Sequence, residues 1–422
     1  MIKTDCRICG SDDLVSVLDL GEAPLSGTFL KLGEEVPTLP LNLARCQTCG
    51  LVQLFDKLPI EELYSVNYGY ESHLNDSMVL HLRDKATRLM DIINDANILD
   101  DSRVFLDIAS NDGTLLREIS MISRENDKLL GCDPLIANFV DRYPPRTIKI
   151  PSFFSKENIG KEFYEKIDLI TSLSVYYDVE NPVNFAKDIW NLLKPGGLWH
   201  LEQSYLPAML ENNSYDTICH EHLLYFSARD LRHIASEVGF NVLNSECNLI
   251  NGGSLQITLQ KRSYSGSEIY FNSDFEKLCK QEEATGVADG SLLESFATDA
   301  VKHAQYLRKT VLDLKNTGHE IYALGASTKG NIILHFAELD FSIIKAIGEV
   351  NPKKFGKVTP GTNIPIIDER EILGLCGKGK VLIILPWHFR ETFLSKSQEF
   401  LKTGGKVLFP MPEILLVGSE NI

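Results

Sequence analysis

Four cysteines fall into two C-x2-C pairs, Cys6 with Cys9 and Cys46 with Cys49, and a glycine follows each pair (Gly10 and Gly50). Glycine at that position gives the backbone freedom for a tight knuckle that turns both thiolates toward one ion. Four soft, anionic sulfurs suit tetrahedral zinc, and a complete set leaves no open position for water. A redox dithiol would follow a strand, open a helix and need no second copy. The expectation is a structural zinc site held by Cys6, Cys9, Cys46 and Cys49.

The densest titratable cluster is His220-Glu221-His222, flanked by Cys219 and Tyr225. An imidazole accepts a proton near neutral pH, and a neighbouring carboxylate can orient it and stabilise its charged form. One or both histidines could equally be structural, at the start of a helix expected over 228–238.

Two further motifs look like ligand loops. Asp107-Ile-Ala-Ser-Asn-Asp-Gly-Thr-Leu-Leu116 follows an apolar run, and Asp133, with Pro134 after it, ends the next run 26 residues on. In an open α/β sheet a ligand sits beyond the carboxyl ends of the strands, and an acid there can accept from ribose hydroxyls. Ala109, Ser110 and Gly113 are small enough to let a ligand approach the backbone, with Asn111 beside them. A dinucleotide would prefer a G-x-G-x-x-G loop. Here Asp112 would repel a pyrophosphate but favour the ammonium of an amino acid, which S-adenosylmethionine carries. The last motif, Gly325-Ala-Ser-Thr-Lys-Gly-Asn331, offers Ser327, Thr328, Lys329 and Asn331 as diphosphate partners without the order of a P-loop. Its alternative is a degenerate nucleotide fold kept for packing.

The elements that must carry these groups alternate. Apolar runs at Val104–Ile108, Leu129–Asp133, Ile167–Ile170 and Gly197–Glu202 are separated by helical stretches, which implies a parallel sheet with covered faces. A turn is expected at 193–197 before the last run. Residues 76–95 read as an amphipathic helix and 266–315 as charged helix. A second βα series follows at Glu320–Leu324, Ile344–Gly348, Val381–Leu385 and Lys406–Phe409.

Size and charge set the limits. A chain of 422 residues is long enough for several domains. A net charge of −16 disfavours nucleic acid as a partner. No apolar run approaches the roughly 20 residues that span a bilayer, and the N-terminus lacks a signal-peptide pattern. The expected address is cytoplasmic, with the nine cysteines as thiols or metal ligands.

In these motifs the chain resembles the S-adenosylmethionine-dependent sugar C-methyltransferases of deoxysugar biosynthesis. The resemblance runs over nearly the whole chain. It rests on the cysteine knuckles, Ser110–Gly113, Asp216–His222, Asn251-Gly-Gly-Ser254, Gly325–Asn331 and Pro360-Gly361. It implies an α/β protein: a zinc-binding domain (1–75), a class I methyltransferase Rossmann-like core (76–265) and a second Rossmann-like domain (266–422) that helps hold a nucleotide-linked keto sugar. It further implies carbon methylation through an enolate, with His222 as base, Glu221 beside it, and Tyr68 or Tyr70 near the sugar. The alternatives are another keto or hydroxyl acceptor in natural-product or polysaccharide biosynthesis, and a zinc-module protein that senses a nucleotide. Two positions depart from the family pattern: Cys219 stands in place of a tyrosine, and Val175-Tyr-Tyr-Asp178 lacks a histidine, with Tyr176, Tyr177 or Asp178 as substitutes. Oligomeric state stays open, a monomer being compatible.

Overall fold

The structure, a computed structural model, describes residues 4–56, 70–95, 102–263 and 268–418. At the N-terminus, β1 (Leu14–Pro24), β2 (Thr38–Cys46) and β3 (Val52–Leu54) form an antiparallel sheet. Its fourth strand, β9 (Leu224–Tyr225), comes from far along the chain, Val52 pairing with Tyr225. The two knuckles hang from this sheet. Gly10 and Gly50 adopt φ of 73° and 91°, and their N–H groups donate to the carbonyls of Cys6 and Cys46. The four sulfurs lie within 4.8 Å of one another, Cys6 to Cys49 at 3.5 Å and Cys9 to Cys46 at 3.6 Å. Four sulfurs at about 2.3 Å from a tetrahedral zinc would be about 3.8 Å apart, so the set fits the ion.

The helix Asp76–Asp95 follows as the sequence pattern predicts. Leu82, Ala86, Leu89, Met90 and Ile93 are buried at three- and four-residue spacing, one stripe against the next sheet. That sheet contains β4 (Val104–Ile108), β5 (Lys128–Cys132), β6 (Thr147–Ile150), β7 (Ile167–Leu173), β8 (Leu193–Ser204), β10 (Phe240–Asn248) and β11 (Ser254–Lys261). The order is β10-β11-β8-β7-β4-β5-β6, parallel except at β10 and β11. The chain reverses its direction of growth between β4 and β7, so the loop leaving β4 opens at the switch point where such sheets bind ligands. The turn expected at 193–197 lies inside β8. Ile167 pairs with Leu193 but Leu169 with Leu198, a bulge that Gly196 permits with φ of 82°.

The stretch read as one helical region divides into helices Ser273–Ala284 and Ser291–Asn316, with Gly286 and Gly290 at φ of 81° and 86° between them. The last sheet holds β12 (Glu320–Leu324), β13 (Ile344–Glu349), β14 (Ile366–Asp368), β15 (Lys380–Ile384), β16 (Lys406–Phe409) and β17 (Leu415–Val417). Its order is β14-β13-β12-β15-β16-β17, parallel except for β17. Growth reverses again at β12, so the loop after β12 stands at a second switch point. No helix of the described residues is long and apolar enough to cross a membrane.

Because the knuckles are assembled by the ion they hold, metal binding and folding are coupled here. Freshly purified, reduced protein should contain one zinc per chain by elemental analysis. Cys46→Ser should lose the metal and lower urea stability by on the order of 4 kcal/mol. Full zinc in that variant would break the four-cysteine assignment.

Candidate active site

The two switch points face one cavity of about 920 Å³. At its first end the loop after β4 bends back through left-handed residues, Ala109 at φ 55°, Asn111 at 48° and Gly113 at 75°. Ala109, Ser110 and Asn111 line the cavity, with Asp107, Asp133 and Pro134. Thr171 Oγ1 donates to Asp107 Oδ1 (2.7 Å). Asp133 sits one residue beyond β5 and accepts the N–H groups of Asn111 (3.0 Å) and Leu135 (2.7 Å). Burial pushes the Asp107 carboxyl up to about 7 and raises Asp133 as well. Both acids are therefore poised for donors that a ligand brings.

Two loop residues act differently from the sequence expectation. Gly113 does not line the cavity; a Cβ there would press on the Tyr143 ring at 3.0 Å. Asp112 is also turned away. Its oxygens accept from Thr114 Oγ1 (2.6 Å) and the His73 N–H (3.0 Å), and His73 Nδ1 lies 2.6 Å away. These neighbours use the charge that was expected to meet an ammonium. Asn111 Nδ2 in turn donates to the Tyr70 carbonyl (3.1 Å), so Tyr70–Asn75 forms a strap across the loop. Tyr70 lines the cavity and stays 44% exposed. Tyr68 lies outside the described residues.

Further along the cavity the two histidines separate. His222 lines the cavity, its ring centroid 4.2 Å from that of Tyr177. Its Nδ1 donates to the Thr217 carbonyl (2.9 Å), which leaves the Nε2 lone pair free to accept. Burial first, and the charge of Lys329 second, press its pKa down to about 3, so the ring is neutral at pH 7. His220 is buried elsewhere, with Nε2 donating to the Leu39 carbonyl (3.2 Å). His220 therefore ties the β2 region and does not reach the cavity.

Glu221 lines the cavity but does not orient His222. Ser26 Oγ donates to its carboxyl (3.4 Å), the Cys219 thiol and the Gly27 N–H add further bonds, and burial raises its pKa. Of the residues at 176–178, Tyr176 is core: its hydroxyl donates to the Pro182 carbonyl (2.8 Å) and its ring stacks on Phe226. Tyr177, Asp178 and Cys219 do face the cavity.

The second sheet supplies the other wall. Ser327 caps the helix Thr328–Phe336 by accepting the Gly330 N–H (3.1 Å), and Ser327, Thr328 and Lys329 line the cavity. Lys329 Nζ donates to the Asn251 carbonyl (2.7 Å), which holds the ammonium between the two sheets. Asn331 does not face the cavity; its amide donates to the Ser26 carbonyl (2.7 Å) and so ties the zinc module.

Sequence reasoning missed His81 and Glu202. His81 Nε2 lies 2.6 Å from Glu202 Oε1, and buried Lys85 donates to the other oxygen (2.7 Å). Lys85 and His81 together hold Glu202 at about 2 against the upward push of its burial. The signal was present, since Glu202 ends an apolar run just as Asp107 and Asp133 do.

Three family models match the chain in sequence. A "Putative zinc binding domain" covers residues 6–64, a "Methyltransferase domain" 80–245 and a "C-methyltransferase C-terminal domain" 249–412. The C-methyltransferase NovU of Streptomyces niveus is 25% identical over 426 residues, spanning 99% of this chain and 97% of its own. Among solved structures, the CurJ carbon methyltransferase matches 46% of this chain and 57% of its own, at 15% identity and a TM-score of 0.36. A ribosomal RNA adenine methyltransferase of Catenulisporales acidiphilia, solved with S-adenosylmethionine, matches 41% of this chain and 90% of its own, at 13% identity and a TM-score of 0.32.

Burial of Asp107 gives a pH signature. A carboxyl raised to about 7 in the fold contributes stability that is full below its ordinary pKa and lost as pH rises toward 7. Asp107→Asn removes that loss. Ligand-free Asp107→Asn should gain stability over the parent between pH 5 and pH 8, by roughly 2 kcal/mol. Urea melts at the two pH values check this, and a pH-independent difference would contradict the buried acid.

Proposed function

We propose that this S-adenosylmethionine-dependent C-methyltransferase, with zinc in its N-terminal knuckles, methylates the carbon beside the ketone of a nucleotide-linked keto-deoxysugar. The observation that carries the reading is His222, which lines the cavity shared by the loops after β4 and β12 and whose Nδ1, not Nε2, is bonded to the Thr217 carbonyl. S-adenosylmethionine supplies an electrophilic methyl group on sulfonium. Asp133 would hold its ribose and Asp107 with Ala109–Asn111 the rest of it.

A carbon beside a ketone loses a proton because the charge spreads onto oxygen as an enolate. His222 Nε2 takes that proton, while its Nδ1–H stays on the Thr217 carbonyl and the ring becomes imidazolium. The depressed basicity of His222 comes partly from Lys329. A diphosphate bound at Ser327, Thr328 and Lys329 would offset that positive charge and strengthen the base as the acceptor arrives. Lys329 keeps two further N–H donors for the diphosphate or the enolate oxygen. Tyr177, Asp178 and Tyr70 would contact the sugar, and Glu221 would position the segment that carries His222.

The same reading divides the chain at 1–75, 76–265 and 266–422. It sets the enzyme in the cytoplasm, where the zinc thiolates and the other cysteine thiols would stay reduced.

His222→Asn should lose 10²–10⁴-fold in turnover with cofactor affinity near the parent value. His220→Asn should keep turnover and lose stability, since its ring serves Leu39. In deuterated water the parent should exchange the acidic proton of a keto substrate without methyl donor, and His222→Asn should not. Methylation on oxygen with no exchange at carbon would replace this reading with a different acceptor.

A further inference from the structure

The second sheet carries another imidazole to the cavity. β15 runs parallel to β12 with Ile384 opposite Leu324, so the turn after β15 stands beside the loop after β12. The two are pressed together: a Cβ at Gly325 would collide with the Pro386 ring. Pro386 and Trp387 lead to His388, which lines the cavity with Lys329 and His222.

The same few residues hold all three groups. Trp387 donates its Nε1–H to Asp216 Oδ2 (2.8 Å), and Asp216 precedes Thr217, whose carbonyl holds His222 Nδ1. The Trp387 ring also packs on Gly252, where a Cβ would meet it at 3.1 Å. Gly252 follows Asn251, whose carbonyl holds Lys329. Burial first, and the charge of Lys329 second, press the His388 ring down to about 3, as they do His222. Both rings are therefore neutral at pH 7.

Unlike His220 and His222, His388 has no hydrogen bond among the described residues. Its ring meets those of Trp387 (centroids 5.6 Å apart) and Phe389 (4.3 Å), and its Nδ1 is buried without a partner. A buried N–H without an acceptor is rarer in folded proteins than an acceptor without a donor. The proton is therefore assigned to Nε2, the nitrogen that can serve a ligand.

We infer that His388 is the electrophilic partner of His222: its Nε2–H donates to the acceptor's carbonyl oxygen and steadies the charge that gathers there as the enolate forms. The inference rests on the enolate chemistry proposed above and adds the group that meets the oxygen, with Lys329 taken by the diphosphate. His222 takes the proton from carbon, the C–H pair becomes the carbon–carbon double bond, and the carbonyl π pair moves onto oxygen. His388 keeps its own proton throughout. When the carbon attacks the methyl group the carbonyl reforms, and the pair of the broken C–S bond stays on sulfur. A neutral imidazole suits this task, because an imidazolium would give up its proton and leave the less nucleophilic enol. Lys329, and His222 once charged, disfavour a further positive charge on His388.

Exchange in deuterated water tests it, with full-length, zinc-loaded protein and S-adenosylhomocysteine present. The probes are 4-keto-6-deoxyglucose linked to thymidine diphosphate and to uridine diphosphate. His388→Phe keeps a ring and removes the N–H; it should slow proton exchange, and kcat with methyl donor, by about 10²–10³-fold, with KM within about 3-fold of the parent. His388→Gln, whose amide brings an N–H near the Nε2 position, should be faster than His388→Phe by roughly 10-fold. Exchange close to the parent rate in a folded His388→Phe protein overturns the inference. So does a loss confined to KM, which makes His388 a binding group only. Nitrogen NMR of the ¹⁵N-histidine-labelled parent, with His388 assigned by its absence from the His388→Gln spectrum, decides independently of the Phe variant. The ring should be neutral at pH 7 with its proton on Nε2, and the bound probe should shift that signal; a proton on Nδ1, or no shift, overturns the inference. No exchange by the parent on either probe overturns the enolate reading itself, and the inference with it.

Discussion

A buried carboxyl, Glu221, ties the zinc module to the segment that carries His222. A carboxyl removed from water must be supplied with donors, or its burial costs several kcal/mol. Its donors come from the zinc module, through Ser26 and Gly27, and from its own turn, through Cys219. Gly27 has no Cβ because the carboxyl occupies that space. The Ser26 carbonyl is then held by Asn331 at the start of the second sheet's helix. The Ser26–Gly27 loop is therefore held from two sides, by Glu221 and by Asn331, and His222 is the residue after Glu221. The position of His222 depends on a contact that the zinc module must supply.

Charge is distributed unevenly across the cavity. The wall formed by the first sheet presents Asp107, Asp133 and Glu202, which suits a cationic sulfonium. The opposite wall presents Lys329, Lys354 and Lys396, which suits a diphosphate. Burial raises Asp107 and Asp133, Glu202 is paired with His81 and Lys85, and the cations are tied to carbonyls or carboxylates such as Asn251, Ala326 and Glu369. Neither wall carries large unpaired charge into the protein interior. Links between the walls reinforce this. Trp387 Nε1 donates to Asp216 (2.8 Å), and Lys353 on the second sheet pairs with Glu71 of the strap (2.7 Å).

Both sheets could be read from the sequence because their central strands are buried on two faces and appear as continuous apolar runs. β4, β12 and β16 match those runs residue for residue. The switch-point rule then gave the ligand loops. What the sequence withheld were the partners of each polar side chain. Asp112 and Asn331 have the right chemistry for ligands, but Thr114 and His73 occupy the first, and Ser26, some 300 residues earlier, occupies the second. His220 and His222 differ only in which carbonyl lies near each ring, Leu39 or Thr217, and neither is apparent from spacing. The antiparallel pair β10 and β11, half polar and partly irregular, gave no clear period.

The edge strand β9 has a consequence for the ribosome. The zinc ligands are all translated by residue 49, so the knuckles can load metal early. The sheet beside them stays open at β3 until Leu224 and Tyr225 emerge. An exposed strand edge is a template for pairing with another chain. Through the synthesis of some 170 residues, at roughly 5–20 residues per second, the nascent N-terminal module carries that edge uncovered for about ten seconds or more. Translation speed between β3 and β9 therefore sets how long a half-made chain offers its neighbours on a polysome a place to stick.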